Sequence, residues 1–119
     1  MSIFVFGSNL SGRHGKGAAL YARRVHGAEY GVGRGRTGNA YAIPTKNEWL
    51  VTLPLLTISL FVDEFISYAE SHSELSFFVT RIGCGLAGYR DENIAPMFKK
   101  APSNCQLPVG WRDCDPTPR

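Results

Sequence analysis

The hydrophobic residues of this chain fall into short runs that are separated by polar, glycine-rich segments. The apolar runs at residues 3–6, 40–43 and 75–82 are each predicted to be a strand. The last of them is apolar enough to indicate a central strand covered on both faces. Residues 49–53 are expected to form a brief extended piece, and residues 106–109 an edge strand.

Helical periodicity appears between these runs. Residues 54–72 give the strongest helix prediction, because Pro54 suits a first helical turn and one wide apolar stripe follows it: Leu55, Ile58, Phe61, Val62, Phe65, Ile66 and Ala69. An earlier helix is predicted at residues 18–25, ended by Gly27, and a short last helix at residues 94–98. Residues 30–39 hold four glycines and are predicted to be a loop. Strands alternating with helices indicate a layered α/β domain.

The length of 119 residues, 44% of them hydrophobic, fits one compact domain, which we place at residues 1–110 with a C-terminal tail at 111–119. No apolar run approaches the roughly 20 residues of a membrane span. The first residues, MSIFVFGSN, lack the basic segment of a signal peptide. We therefore expect a cytoplasmic protein with no membrane association.

The cysteines and histidines show no metal-binding pattern. Cys84, Cys105 and Cys114 lack C-x-x-C spacing, and the three histidines are scattered. No metal and no cofactor is predicted. Cys84 lies inside a glycine-rich loop, where it is either a reactive thiol or a small packed residue, and packing is the favoured interpretation.

Positive charge is concentrated in the first third of the chain. The net charge is only +3, but residues 13–36 contain six basic side chains and the single acid Glu29: Arg13, Lys16, Arg23, Arg24, Arg34 and Arg36. Such a segment favours an anionic ligand, either a phosphate compound or nucleic acid. A solvated basic helix face would give the same composition.

Three loops follow predicted strands, at residues 7–17, 44–49 and 83–89, and we expect them to meet because ligands of α/β sheets bind at the carboxyl ends of strands. In the first loop Gly7 and Gly12 have P-loop spacing, but Arg13 and His14 replace the required Lys-Ser/Thr, which argues against a P-loop NTPase. Gly12, Gly15 and Gly17 still permit close approach of backbone to an anion. Asn9 would either bind a ligand hydroxyl or tie its own turn.

The third loop, RIGCGLAGY, contains G-x-G-x-x-G at Gly83, Gly85 and Gly88. A dinucleotide fingerprint also needs a second parallel strand and an acid about 20 residues later, and only a short helix and a proline-containing tail follow. The same spacing recurs at Gly33, Gly35 and Gly38, so the pattern alone is weak. This loop either cradles phosphate or turns a corner.

The middle loop, in YAIPTKNEW, places Lys46 just after a strand. A lysine at this position would be a phosphate contact, a nucleophile if its surroundings lower its pKa from the ordinary value of about 10.4, or a plain surface charge.

Taken together and in this order, the three loops resemble those of a macro domain over roughly residues 3–100. The segment GSN…GRHGKGAAL is similar to the family's ribose-binding asparagine with its glycine-rich loop, and RIGCGLAGY to its phosphate-enclosing loop. The resemblance implies a three-layer α/β domain with a mixed central sheet flanked by helices. It also implies an ADP-ribose site formed by these residues: Asn9, Gly12, Arg13, His14, Gly15, Lys16, Gly17, Thr45, Gly83, Cys84, Gly85, Leu86, Ala87, Gly88 and Tyr89.

Within that family the chain looks most like the lysine-dependent ADP-ribosyl glycohydrolases. HGKGAAL and PTKNEW are similar to the enzymes acting on DNA, and RIGCGL followed by DENI to those acting on protein. The resemblance makes Lys46 the nucleophile, which attacks the anomeric carbon of the distal ribose and opens it to a Schiff base.

Two features depart from the pattern of that family. The protein-directed enzymes have an acid where this chain has Ala87. Many macro domains also have an adenine-binding aspartate near the first strand, where this chain has no acid before Glu29.

Three functions remain open: hydrolysis of ADP-ribose from modified DNA or protein, sequestration of a free or cyclic ADP-ribose-type nucleotide, and binding of nucleic acid through the basic segment. Macro domains are usually larger than this chain, so the resemblance also implies a sheet with a trimmed edge.

Overall fold

The computed structural model describes residues 2–112, which form an α/β domain with one five-stranded mixed sheet. The strands are β1 (Ser2–Asn9), β2 (Gly35–Thr37), β3 (Ala40–Lys46), β4 (Ser76–Val79) and β5 (Cys105–Gln106). The helices are α1 (Gly17–Val25), α2 (Leu55–Ser71) and α3 (Asp91–Ile94), and α3 leads into a 3-10 turn at Ala95–Phe98. The predicted fold class is confirmed.

The sheet order β2-β3-β1-β4-β5 places β1 at the centre. Strands β3 and β4 flank β1 and both run parallel to it, while β2 pairs with β3 in the antiparallel direction. The carboxyl ends of β1, β3 and β4 therefore meet at one edge. After β1 the chain crosses to β3 on one side of β1, and after β3 it crosses to β4 on the other side. This edge therefore has the reversal of strand order at which α/β sheets bind ligands.

Each face of the sheet has its own hydrophobic core. Helix α2 and the 3-10 turn pack on one face, where the larger cluster includes Ile3, Val5, Phe65, Phe77 and Phe98, each at most 1% exposed. Helix α1 covers the other face through a smaller cluster, whose members are Phe4, Phe6, Ala19, Ala22, Ala28, Ala40 and Ala42. The domain thus has three layers, with the sheet in the middle.

The prediction of a central strand covered on both faces at residues 75–82 was wrong. The strand is shorter, lies beside the centre, and alternates buried and exposed residues, with Phe78 44% exposed. The reason is that the smaller core contains residues of α1, β1 and β3 but none of β4. Helix α1 therefore leaves this part of the sheet open.

Other elements differ in their bounds. The predicted loop at residues 30–39 contains β2, and β3 continues through Pro44 to Lys46. The last helix is divided into α3 and the 3-10 turn that carries Pro96, since proline cannot donate a helical hydrogen bond. The edge strand lies at Cys105–Gln106.

Two residues of the segment expected to be a tail pack on the domain. Trp111 is 2% exposed, lies against Phe98 with ring centroids 5.4 Å apart, and donates its indole N–H to the Asp91 carboxylate at 3.1 Å. The Arg112 guanidinium donates to the carbonyls of Ala101 and Pro102. Residues 113–119 lie outside the described residues. Within the described part of the chain, no helix has the length and hydrophobicity needed to cross a bilayer.

Candidate functional site

The three predicted loops meet around one cavity of about 620 Å³ at the carboxyl edge of the sheet. The first loop, the end of β3 and the third loop each contribute walls. Eleven of the sixteen predicted site residues line this cavity: Asn9, Arg13, Gly15, Lys16, Gly17, Thr45, Lys46, Gly83, Gly85, Leu86 and Ala87.

The cavity is cationic. Arg13, Lys16, Lys46 and Arg81 line it, and no described residue of its lining is an acid. Arg81 is already paired with Asp91 by two hydrogen bonds of 2.9 and 3.0 Å, whereas no ion pair within residues 2–112 involves the other three cations. The charge of the lining favours an anionic ligand.

Asn9 organises the first loop. Its side-chain oxygen accepts hydrogen bonds from the Arg13 N–H at 2.9 Å and the Ser11 hydroxyl at 2.8 Å, while its amide nitrogen donates to the Arg13 carbonyl at 2.9 Å. These are the bonds of a residue that ties its own turn. The amide group retains one N–H, and Asn9 lines the cavity, so this single donor is what the side chain can offer a ligand.

The start of helix α1 presents unpaired donors. The cap residue Lys16 makes no side-chain capping bond, and the N–H groups of Gly17, Ala18 and Ala19 donate to no group within the described chain. All three residues line the cavity. Their N–H groups and the helix dipole favour an anion at this wall.

The three glycines of the third loop have two different roles. Gly83 and Gly88 adopt φ of 75° and 88°, in the left-handed region where glycine is favoured, and they shape the turn. Gly85 has no such φ, and a side chain there would meet nothing within 4 Å. Gly85 therefore leaves space at the cavity wall, and the N–H groups of residues 85–87 make no hydrogen bond within the described chain.

Three of the predicted ligand contacts, Gly12, Gly88 and Tyr89, do not line the cavity and instead brace or shape the loops. A side chain on Gly12 would come within 2.2 Å of the Gly31 backbone, so this glycine serves close packing between two backbone segments. Tyr89 donates its hydroxyl to the Leu53 carbonyl at 2.8 Å. These three residues lie outside the cavity lining, and their direct contact with a ligand stays a prediction.

Lys46 is positioned by a β-bulge. Ser8 pairs with Pro44 and Asn9 with Lys46, so Thr45 is an extra residue in β3, and its hydroxyl donates to the Ser8 carbonyl at 3.2 Å. The Lys46 carbonyl accepts from the Leu10 N–H at 3.0 Å, and Lys46 also bridges to Thr52. Because an extra residue changes the face on which the following side chain lies, the bulge decides the direction of Lys46.

His14 does not line the cavity. Its side chain is completely buried and packs edge-on against Phe6, with ring centroids 5.3 Å apart. Nε2 lies 3.4 Å from the Ser8 hydroxyl, and Nδ1 has no hydrogen-bond partner within the described chain. Burial, together with the charge of Arg23, lowers the pKa of His14 below its ordinary value of 6.5.

We expect the free energy of unfolding to decrease as the pH falls below about 6.5, since the unfolded His14 then binds a proton that the folded one resists. At pH 5.5 the loss is at most about 1.4 kcal/mol. Urea unfolding at pH 7.5 and 5.5, for wild type and His14→Gln, measures it. An equal pH dependence in both proteins, or an NMR titration of His14 at or above pH 6.5, would contradict the assignment.

Cys84 belongs to the third loop but does not line the cavity. Burial, and next the neighbouring Asp91 carboxylate, raises the pKa of the Cys84 thiol to about 11. Because the thiolate is the reactive form, Cys84 is a poor nucleophile at neutral pH. The Arg81 guanidinium and the Trp111 indole in turn lower the pKa of Asp91, which joins the loop to α3.

The cavity also contains residues that the sequence did not indicate. Tyr30, Leu50, Thr80 and Arg81 line it. Leu50 and Arg81 are close to predicted loops, whereas Tyr30 reaches the cavity only through the tertiary fold. Arg34, one of the six basic side chains of residues 13–36, does not line the cavity: its Nε donates to Glu64 of α2 at 2.8 Å.

No group of three metal-ligating side chains is found among residues 2–112. Comparison of the chain with protein-family models, with curated proteins and with solved structures gives no match.

Proposed function

We propose that the cavity binds ADP-ribose or a derivative of it. The observation that carries the proposal is that two separate groups of unpaired backbone N–H donors, at residues 17–19 and 85–87, belong to walls of one cationic cavity. A diphosphate carries negative charge on two linked groups, and each would accept hydrogen bonds from one set of donors.

The size and remaining lining of the cavity suit a nucleotide. A volume of about 620 Å³ is within the range of small-molecule sites. Leu50, Leu86 and Tyr30 supply apolar or aromatic surface next to the donors, which a base and a sugar can contact. The resemblance of the three loops to those of macro domains supports the same ligand.

Isothermal titration calorimetry with ADP-ribose tests this function. We expect saturable binding with one ligand per chain. A cyclic ADP-ribose and plain single-stranded DNA serve as comparison ligands. If neither nucleotide binds, the proposal is wrong, and salt-dependent binding of plain DNA without a nucleotide site would support the basic nucleic-acid-binding alternative.

A second candidate function is hydrolysis of ADP-ribose from modified DNA or protein, which is favoured by the position of Lys46 in the cavity. The neutral amine of Lys46 would bond to the anomeric carbon of the ribose, and the linked group would leave and take a proton. Opening of the sugar ring would give an imine, and water would then release ADP-ribose and restore the amine. The alternative is sequestration of the nucleotide without turnover. The experiments on Lys46 distinguish it from hydrolysis.

A further inference from the structure

Leu50 has a backbone conformation that is unusual for its side chain. Its φ is 65°, and it is the one residue other than glycine with a positive φ in the described part of the chain. A left-handed conformation brings Cβ close to the following carbonyl oxygen, so it is unfavourable for a residue with a bulky side chain such as leucine. A strained residue of this kind calls for a reason that lies outside its own backbone.

The turn around Leu50 explains the conformation but not the leucine. Lys46 and Thr52 form an antiparallel bridge, and between them the Leu50 N–H donates to the Asn47 carbonyl at 3.0 Å. The Asn47 side-chain oxygen accepts from the N–H groups of Trp49 and Val51, at 2.9 and 3.0 Å. A short hairpin loop with a left-handed residue at this point ordinarily has glycine there. The turn by itself would therefore be better formed with a glycine in place of the leucine.

The Leu50 side chain is also not needed by the hydrophobic core. It is 43% exposed, and it belongs to neither core cluster. It does line the cavity, as does Leu86 of the third loop, which is 69% exposed. The hydrogen bond from the Thr52 hydroxyl to the Ala87 carbonyl, 3.1 Å long, joins the two segments that carry these leucines.

We propose that Leu50 is a specificity-determining residue, and that it and Leu86 form an apolar wall for the nucleobase of the ligand. This inference rests on the proposed function. The diphosphate and the sugar hydroxyls of such a ligand are polar and gain nothing from an aliphatic side chain. The flat face of the base is the part that can exclude water against leucine.

Leu50→Gly is the test, because it removes the wall and relieves the backbone at the same time. We expect the affinity for ADP-ribose to fall about tenfold, the effect of losing one apolar side-chain contact. The affinity for ribose 5-phosphate, which has no base, should stay the same. The melting temperature should be equal to or above that of the wild type, because glycine suits the left-handed conformation.

Val51→Ala is the matched control, since Val51 is an exposed apolar residue of the same turn that does not line the cavity. It should leave both affinities unchanged. Leu50→Asn is a second variant, because asparagine tolerates the left-handed region, and it should also weaken ADP-ribose binding.

The inference is overturned if Leu50→Gly binds ADP-ribose as well as the wild type does, or if it loses ribose 5-phosphate to the same extent. A lower melting temperature of Leu50→Gly would show that the leucine supports the fold instead. Failure of the wild type to bind ADP-ribose would refute the proposed function first, and the inference would fall with it.

Discussion

Replacing Gly85 with glutamate is expected to reduce the affinity for ADP-ribose at least about 100-fold, or by roughly 3 kcal/mol. Gly85 lies in the cavity wall, and its φ and the open space around it accept a side chain. The substitution therefore places a carboxylate where the diphosphate is proposed to bind. Repulsion between like charges adds to the loss of space. Calorimetry with the purified variant measures the effect.

Gly85→Gln is the matched control, because it fills nearly the same volume without the charge. We expect it to bind ADP-ribose more weakly than wild type and more tightly than Gly85→Glu. Thermal unfolding of both variants should resemble that of the wild type, since the site of substitution is exposed. Undiminished binding by a folded Gly85→Glu protein would show that the diphosphate is not held by the third loop.

Replacing Lys46 with alanine is expected to abolish release of ADP-ribose from modified DNA or protein, if the chain is a hydrolase. Binding of free ADP-ribose should weaken less than about tenfold, because the backbone donors and the other cations remain. Without the amine no imine can form, so the loss affects turnover far more than affinity. Product release from ADP-ribosylated oligonucleotides and proteins, measured beside calorimetry, separates the two quantities.

Two variants control for the charge of Lys46. Lys46→Arg keeps a cation but cannot form an imine, and Lys16→Ala removes another cation of the same cavity. Lys46→Arg should be inactive and Lys16→Ala active with reduced affinity. Borohydride added during turnover should trap a covalent adduct on Lys46 in the wild type. If Lys46→Ala loses affinity alone, Lys46 is a phosphate contact, and if the wild type releases nothing, sequestration is the better proposal.

The elements that the sequence predicted well are those with strong local periodicity. The apolar stripe of α2 predicted residues 54–72, and the structure has Leu55–Ser71. The run beginning at Ile3 predicted β1, although the strand continues to Asn9. In both cases the hydrophobic pattern follows from burial against the sheet or within it, so it is visible in the order of the residues.

The elements that the sequence did not predict depend on strands or helices that are distant in the chain. Strand β2 holds only three residues, Gly35–Thr37. Its glycine has poor strand propensity and its arginine is charged, so the strand forms because β3 pairs with it. Phe78 is apolar yet 44% exposed, because no helix covers that part of the sheet. The local sequence pattern of a strand does not show whether a helix covers each of its faces.

The candidate site shows the same division. By itself the sequence determined that glycines mark the first and third loops and that cations lie in the first and middle loops, since these residue types are placed by backbone geometry and charge within each loop. The tertiary structure decided what each residue does there: Gly85 leaves space, His14 is buried, and the bulge at Thr45 directs Lys46. The parallel pairing of β3 and β4 with β1 brings the loops together, and because that pairing joins residues far apart in the chain, only the folded protein reveals it.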